Sequence, residues 1–203
     1  MELIELFPKV ISVSELKDLG SFDKLRNLDL KDNIGNKSGK NAYILNNPEY
    51  SELKAAIEVI LNEHFYKVYN PEDFENIELY VTQSWVNHTE KDEYHHRHSH
   101  PNSILSGVLY LDIDKDSDNI TFFNGQSKHD TLLTFIPEEY NLYNSSAWTV
   151  GEFKEGNIII FPSILEHEVA TRKDSGITRI SLAFNSFVKG KLGVYNDYTE
   201  LHL

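Results

Sequence analysis

The sequence predicts a mainly β (α+β) chain, an antiparallel barrel or jelly roll with helices packed outside it. From about residue 77, the runs IELYVTQSWVN, SGVLYLDI, NITFFN, TLLTFI, GNIIIFPS and TRISLAFNSF are rich in β-branched and aromatic residues. Turn-forming segments, among them DKDSDN, NGQ, KEGN and KDSG, separate these runs at close spacing with no helical pattern between them. Ahead of them stands one long amphipathic pattern, SELKAAIEVILNEHFYKVY, starting at Ser51.

Taken in order, SELKDLGSF reads as a short helix capped by Ser14. The longer helix is capped by Ser51, and its apolar face is Leu53, Ala56, Ile57, Ile60, Leu61 and Phe65, recurring at i, i+3, i+4 spacing. The segment DNIGNKSGKNAYIL between them is polar and contains glycine, so it is expected as an exposed loop. LSGVLYL and NIIIF are apolar almost throughout and belong in the middle of the β structure. EEYNLYNSSA is read as a loop whose aromatics, Tyr140 and Tyr143 with Trp148 beyond, form either a recognition edge or a small satellite core. No linker or repeat divides the chain. The expectation is one domain over residues 1–203, with a helical N-terminal support region at about 1–76 and the β core at about 77–190.

Composition narrows the function. Of 203 residues, 40% are hydrophobic and 12% aromatic, enough for a sizeable core rather than disorder. The formal net charge is −13, and the densest basic run, Arg172-Lys173, is followed at once by Asp174. Such a surface repels a phosphate backbone, so nucleic acid is a poor partner. The absence of cysteine excludes disulfides, thiolate nucleophiles and thiolate metal sites. The start, MELIELFPKV, is unlike a signal peptide, and no apolar run is long enough to span a bilayer. A cytoplasmic protein is expected.

The candidate chemistry begins at HHRHSHPNS, where His95, His96, His98 and His100 crowd the end of a β-like segment. Side chains two apart on a strand point to one side, so His98 and His100 can address one metal ion. A third ligand has to come from afar, and His167 in FPSILEHEV, after the buried strand GNIIIF, is placed to supply it. Arg179 stands inside the otherwise apolar TRISLAFN, where a guanidinium is costly to bury unless it meets an anion. Its planar fork suits a carboxylate. Taken singly, each feature has a plainer reading: a surface histidine cluster, a structural histidine, or an arginine paired with a neighbouring Asp or Glu. The order of all of them together is what points to a site.

With those residues in view, the chain resembles the Fe(II)/2-oxoglutarate-dependent oxygenase superfamily in its prolyl-hydroxylase-like branch. It is most similar there to a group of oxygenases known mainly from bacteria and phages. The matching pieces are SWVNHTEKDEYHHRHSHPNSILSGVLYLD, ITFFN, GNIIIFPSILEHEV and TRISLAFNSF, with LFPKVISV near the start. The resemblance implies a double-stranded β-helix, a jelly roll, using Fe(II), 2-oxoglutarate and O2. It makes His98, His100 and His167 the metal ligands and catalytic residues. Arg179 would bind the far carboxylate of 2-oxoglutarate, joined in cosubstrate binding by Ser181, Tyr110 and Asn185, with Trp85 lining the pocket. His95 and His96 are expected at the mouth or in solvent.

One departure stands out: His100 occupies the place of the usual carboxylate, so the first shell has one negative charge fewer. An alternative takes His88-Thr89-Glu90 as an H-x-E pair that restores it, leaving His100 as a neighbour of the metal. The implied activity is hydroxylation of a protein or peptide side chain, or of a small metabolite, with release of succinate and CO2. Two rivals stay open: a cupin-like metalloprotein without 2-oxoglutarate (a three-histidine dioxygenase or an isomerase), and a non-catalytic binding module. The expected partners are the small-molecule cosubstrate and an unidentified substrate, with no membrane and with a homodimer allowed.

Overall fold

Thirteen strands and two α-helices make up the described parts of the chain. In order they are β1 (Ser12–Glu15), α1 (Asp23–Arg26), β2 (Leu30–Asp32), β3 (Lys37–Gly39), α2 (Ser51–Tyr69), β4 (Glu78–Thr89), β5 (His95–His98) and β6 (Leu105–Asp112). There follow β7 (Ile120–Phe123), β8 (Ala147–Val150), β9 (Asn157–Pro162), β10 (His167–Val169), β11 (Arg179–Lys189), β12 (Lys191–Leu192) and β13 (Leu201–His202). This computed structural model describes residues 1–16, 22–71, 76–125, 136–173, 176–193 and 199–203. Among them, no helix is long and apolar enough to cross a membrane.

A seven-stranded antiparallel sheet runs β1-β9-β6-β11-β4-β3-β2, and a four-stranded sheet runs β5-β10-β7-β8. Strand alternation decides what each face carries. On β6, β9 and β11, Leu109, Leu111, Ile158, Ile160, Ile180, Leu182 and Phe184 face the core shared with Leu53, Ile57, Leu61 and Phe65 of α2. Their neighbours Val108, Tyr110, Ile159 and Phe161 face the other way and join Ile120, Phe122 and Leu165 in a second core. β6 and β9 are adjacent and buried on both faces, which is why their sequences are apolar without alternation. This is the jelly-roll architecture expected. A hydrogen at position 107 is required: a Cβ there would lie 2.3 Å from the Phe184 ring and 2.9 Å from the Ile159 carbonyl.

Several local expectations change. Ser14 does not open a helix: it belongs to β1, whose SVSE segment pairs with β9 from Ser12↔Ile160 to Glu15↔Asn157. The rest of the segment expected as a helix, residues 17–21, lies outside the described residues, as do residues 131–135 of TLLTFI. Ser51 is the first residue of α2 rather than its cap; Tyr50, ending a short 3₁₀ turn, holds the N-cap without a side-chain bond. The polar loop is not exposed throughout. It folds into the β2–β3 hairpin on the edge of the large sheet, with Asn36 and Ser38 buried. Residues 1–76 therefore supply three strands as well as helices. AWTV, at the end of the EEYNLYNSSA loop, is β8, and Tyr140, Tyr143 and Trp148 are exposed rather than packed in a satellite core.

Candidate metal centre

Strand register builds the histidine cluster. His167 on β10 is the cross-strand partner of His98 on β5, and their ring centroids lie 4.4 Å apart. His100 stands two residues beyond His98, with its ring 4.8 Å from that of His98 and 5.2 Å from that of His167. One nitrogen from each falls within 4.8 Å of the other two, so the three could hold a single ion. His98 Nδ1–H donates to the His96 carbonyl at 2.7 Å, and His167 Nδ1–H donates to the Leu165 carbonyl at 3.0 Å. Each bond leaves the Nε2 lone pair free, the usual way a ligating imidazole is oriented from behind. Burial pushes His167 down to about 3 and His100 to about 4, and lowers His98 as well. All three are thus neutral at physiological pH, the form that binds metal.

The HPNS turn anchors His100. The His100 N–H donates to the Ser163 carbonyl at 2.9 Å, and the Ser163 hydroxyl donates to that of Ser103 at 2.7 Å. The Ser103 hydroxyl in turn donates to the Ser186 carbonyl on β11 at 3.0 Å. Asn102, at φ 61°, makes the turn possible; asparagine tolerates that left-handed conformation better than most residues.

The β4–β11 ladder supplies a further wall of the cleft. Arg179↔Thr89, Ser181↔Asn87 and Ala183↔Trp85 are cross-strand pairs, and all six residues line the cleft with the three histidines. It encloses about 500 Å³ of empty space, its open mouth included. Arg179 is only 3% exposed. Its Nη1 donates to the Asn119 carbonyl at 3.1 Å, its guanidinium lies 5.2 Å from the centre of the Tyr110 ring, and its Nε has no partner. Among the described residues no carboxylate pairs with it. The Tyr110 hydroxyl beside it is also buried without a good hydrogen bond, and burial pushes it up to about 12, so it remains a proton donor. A buried cation flanked by an orphaned donor is poorly stabilised unless an anion enters. Arg172 makes the contrast: equally buried, it is neutralised by Asp118 through bonds of 2.6 and 3.0 Å.

The structure brings together His98, His100, His167, Arg179 and Ser181 around one cleft, with Trp85 on its wall and Tyr110 packed behind Arg179. Asn185 is not among the lining residues; its side-chain oxygen accepts from the Ser106 hydroxyl at 2.8 Å within a buried network of serines. His88 and Glu90 alternate away from the face bearing Asn87 and Thr89. Glu90 is exposed and accepts from the Thr178 hydroxyl at 2.9 Å, so the H-x-E pair does not meet His98 and His167. His95, expected at the mouth or in solvent, lines the cleft, stacked on His98 at 4.7 Å, and burial pushes it down to about 3. Sequence reasoning also missed Asn87, Thr89 and Glu168. The first two share the β4 alternation that marks Trp85, a signal already legible in SWVNHT.

Comparison with known proteins bears on the family and the fold. A family model described as "Putative 2OG-Fe(II) oxygenase" matches residues 83–185. HygX from Streptomyces hygroscopicus, solved with nickel, 2-oxoglutarate and hygromycin B bound, is similar at 14% identity and a TM-score of 0.57, over 88% of this chain and 82% of that one. An oxidoreductase of the 2OG-Fe(II) oxygenase family from Burkholderia pseudomallei is similar at 14% identity and a TM-score of 0.53, over 80% and 73%. At such identity these two speak to the fold. No curated protein matches.

Proposed function

The chain belongs to the 2OG-Fe(II) oxygenase family, and from that membership we propose that it hydroxylates a peptide side chain or a small metabolite, holding its metal with His98, His100 and His167. It is a 2-oxoglutarate-dependent oxidoreductase whose cofactors are Fe(II) and 2-oxoglutarate. When bound, these supply an oxidative decarboxylation, yielding succinate and CO2, coupled to oxidation of the substrate by O2.

The chain's own residues bind, orient and exclude water. The three neutral imidazoles, two of them aimed by backbone carbonyls, would hold the metal between them with a nitrogen donor set that suits Fe(II). Arg179 takes the far carboxylate of the cosubstrate, assisted by the hydroxyls of Tyr110 and Ser181. Trp85 and Phe161 wall the cleft with apolar surface that keeps water from the reacting end. Asn185 has a supporting role through Ser106, outside the cleft. Residues 1–203 act as a single domain, in which α2 and the N-terminal strands buttress the sheet that carries Arg179.

The observation that carries this reading is Arg179: a residue 3% exposed, lining the same cleft as the histidine cluster, with no carboxylate of its own among the described residues. A metalloprotein that did not use a dicarboxylate would leave that charge uncompensated. The test uses protein purified without a histidine tag, loaded with Fe(II) and supplied with 2-oxoglutarate and O2. Succinate release is followed across panels of peptides, amino acids and small metabolites. Stoichiometric iron, a thermal shift on adding 2-oxoglutarate and substrate-stimulated succinate are expected. Protein that takes up neither iron nor 2-oxoglutarate would overturn the proposal.

A further inference from the structure

We propose that Asn36 fixes the tautomer of His95, so that its Nε2–H points into the cleft as a second donor to the cosubstrate's far carboxylate beside Arg179. This rests on the reading of the cleft as the 2-oxoglutarate site.

The argument starts at the β2–β3 turn. Gly35, at φ +84°, lets the turn close against the segment leading to β5: a Cβ there would lie 2.8 Å from the Tyr94 ring and carbonyl. The Tyr94 N–H donates to the Gly35 carbonyl at 2.9 Å, and the Asn33 N–H donates to the Asn36 carbonyl at 2.9 Å. The turn thereby carries Asn36, only 4% exposed, over the end of β4. Its Oδ1 accepts from Asn33 Nδ2 at 2.9 Å, which orients the amide. Its Nδ2 is then left to donate, and it lies 3.2 Å from both Thr89 Oγ1 and His95 Nδ1.

An amide N–H can face a ring nitrogen only if that nitrogen carries a lone pair. His95 Nδ1 is therefore the acceptor, and the one proton of the neutral ring sits on Nε2. Among the described residues Nε2 has no hydrogen-bond partner, nor does it belong to the buried polar atoms that lack one. Because His95 lines the cleft, the proton is presented to whatever fills it.

Position fixes what it meets. Thr89, the other partner of Asn36, is the cross-strand partner of Arg179, and His95 stacks on His98 at 4.7 Å. His95 is thus packed on the first metal ligand and linked through Asn36 to the strand partner of Arg179, so it borders the space that a dicarboxylate held by the metal and Arg179 would fill. Asn36 is a positioning residue and His95 a binding residue.

Two measurements test this, one of them without metal or turnover. In metal-free protein labelled with ¹⁵N-histidine, long-range ¹H–¹⁵N correlations report which ring nitrogen of His95 is protonated. Wild type is expected to be protonated at Nε2, and Asn36→Asp, whose carboxylate can only accept, at Nδ1. Finding Nδ1–H in wild type overturns the proposal.

The second measurement is the dissociation constant of 2-oxoglutarate for Mn(II)-loaded protein, compared with that of 2-oxobutanoate, which lacks the far carboxylate. His95→Phe keeps the stacked ring, and His95→Gln keeps a donor near the place of Nε2. Asn36→Asp and His95→Phe are expected to weaken 2-oxoglutarate about tenfold or more, the scale of a lost hydrogen bond to a charged group. His95→Gln should recover part of this, and none of the three should alter 2-oxobutanoate binding. Equal weakening of both acids would mean that His95 only supports the fold of the cleft, and the proposal fails. Wild type that binds 2-oxoglutarate while the variants bind it as well also sinks the proposal but leaves the functional reading intact. Wild type that does not bind it sinks that reading itself.

Discussion

His98 and His167 face each other as cross-strand partners on β5 and β10, with ring centroids 4.4 Å apart and each Nδ1–H tied to a backbone carbonyl. Rigid strands, rather than loops, hold this half of the metal centre. Replacing either ring with alanine removes one of three donors from a set already lacking a carboxylate. His98→Ala and His167→Ala are expected to lose iron by more than the roughly 10–100-fold that disturbing an outer-shell partner costs. Iron content after anaerobic gel filtration measures it. His100→Asp should keep iron, since it restores two imidazoles and one carboxylate. Retention of full iron by either alanine variant would remove that histidine from the ligand set.

Arg179 contributes binding rather than chemistry, because it shares the cleft with the three histidines without belonging to the set that could hold the ion. Arg179→Met removes the charge that the cosubstrate's carboxylate would meet. Truncating one partner of a buried charged pair costs about 2–5 kcal/mol, which corresponds to a KM for 2-oxoglutarate raised on the order of 100-fold. At saturating 2-oxoglutarate, kcat should fall much less, the mark of an interaction made equally in ground and transition states. A kcat that collapsed while KM held would contradict this assignment.

What the sequence disclosed and what it hid divide along local and non-local lines. The period-2 pattern of SWVNHT and TRISLAFN already puts Trp85, Asn87 and Thr89 on one side of their strand and Arg179, Ser181 and Ala183 on one side of theirs; the β4–β11 register then sets all six on the same face of the sheet. His98 was legible because it ends a β-like segment two residues before His100, and His167 because it follows closely on the apolar strand NIIIFP. Asn36 was not. An asparagine- and glycine-rich turn reads as solvated loop, and its burial depends on docking a hairpin against β4 from outside its own neighbourhood. The SVSE of β1 failed for the same reason: only its pairing with β9 makes it a strand, while its local sequence also suits a helix start. Asn185 shares the alternation of Ser181 and Ala183, but its side chain is drawn into the serine network by Ser106.

Arg172 and Asp118 carry a prediction for stability. Their side chains are 2% and 0% exposed, and Arg172 Nη1 also donates to the carbonyls of Thr89 at 2.6 Å and Ile177 at 2.8 Å. Arg172→Leu leaves the Asp118 carboxylate buried without its counter-charge, a loss of about 3–5 kcal/mol. Pairing it with Asp118→Leu removes the uncompensated charge, so the double variant should be more stable than the single one. Urea unfolding of both decides it. A single variant as stable as wild type would show the pair to be dispensable.

His64 gives the metal-free protein a defined sensitivity to acid. It is buried on α2, its Nδ1 shares a hydrogen bond of 2.7 Å with the Ser12 hydroxyl of β1, and its Nε2 is buried without a partner among the described residues. Burial lowers its pKa below the ordinary histidine value. At pH above about 6.5, folded and unfolded chains both hold it neutral, and it contributes no pH dependence. Below that, the unfolded chain takes up a proton that the folded chain refuses, so stability falls with pH until the folded pKa is reached. One such proton is worth at most about 1.4 kcal/mol per pH unit. His88, His95, His98, His100 and His167 are also lowered by burial and act in the same direction, so the informative quantity is a difference in slope rather than the slope itself. Between pH 7.5 and 5.5, His64→Gln should lose less stability than wild type in urea unfolding of metal-free protein. Parallel profiles would mean that His64 is protonated as readily in the folded chain as in the unfolded one.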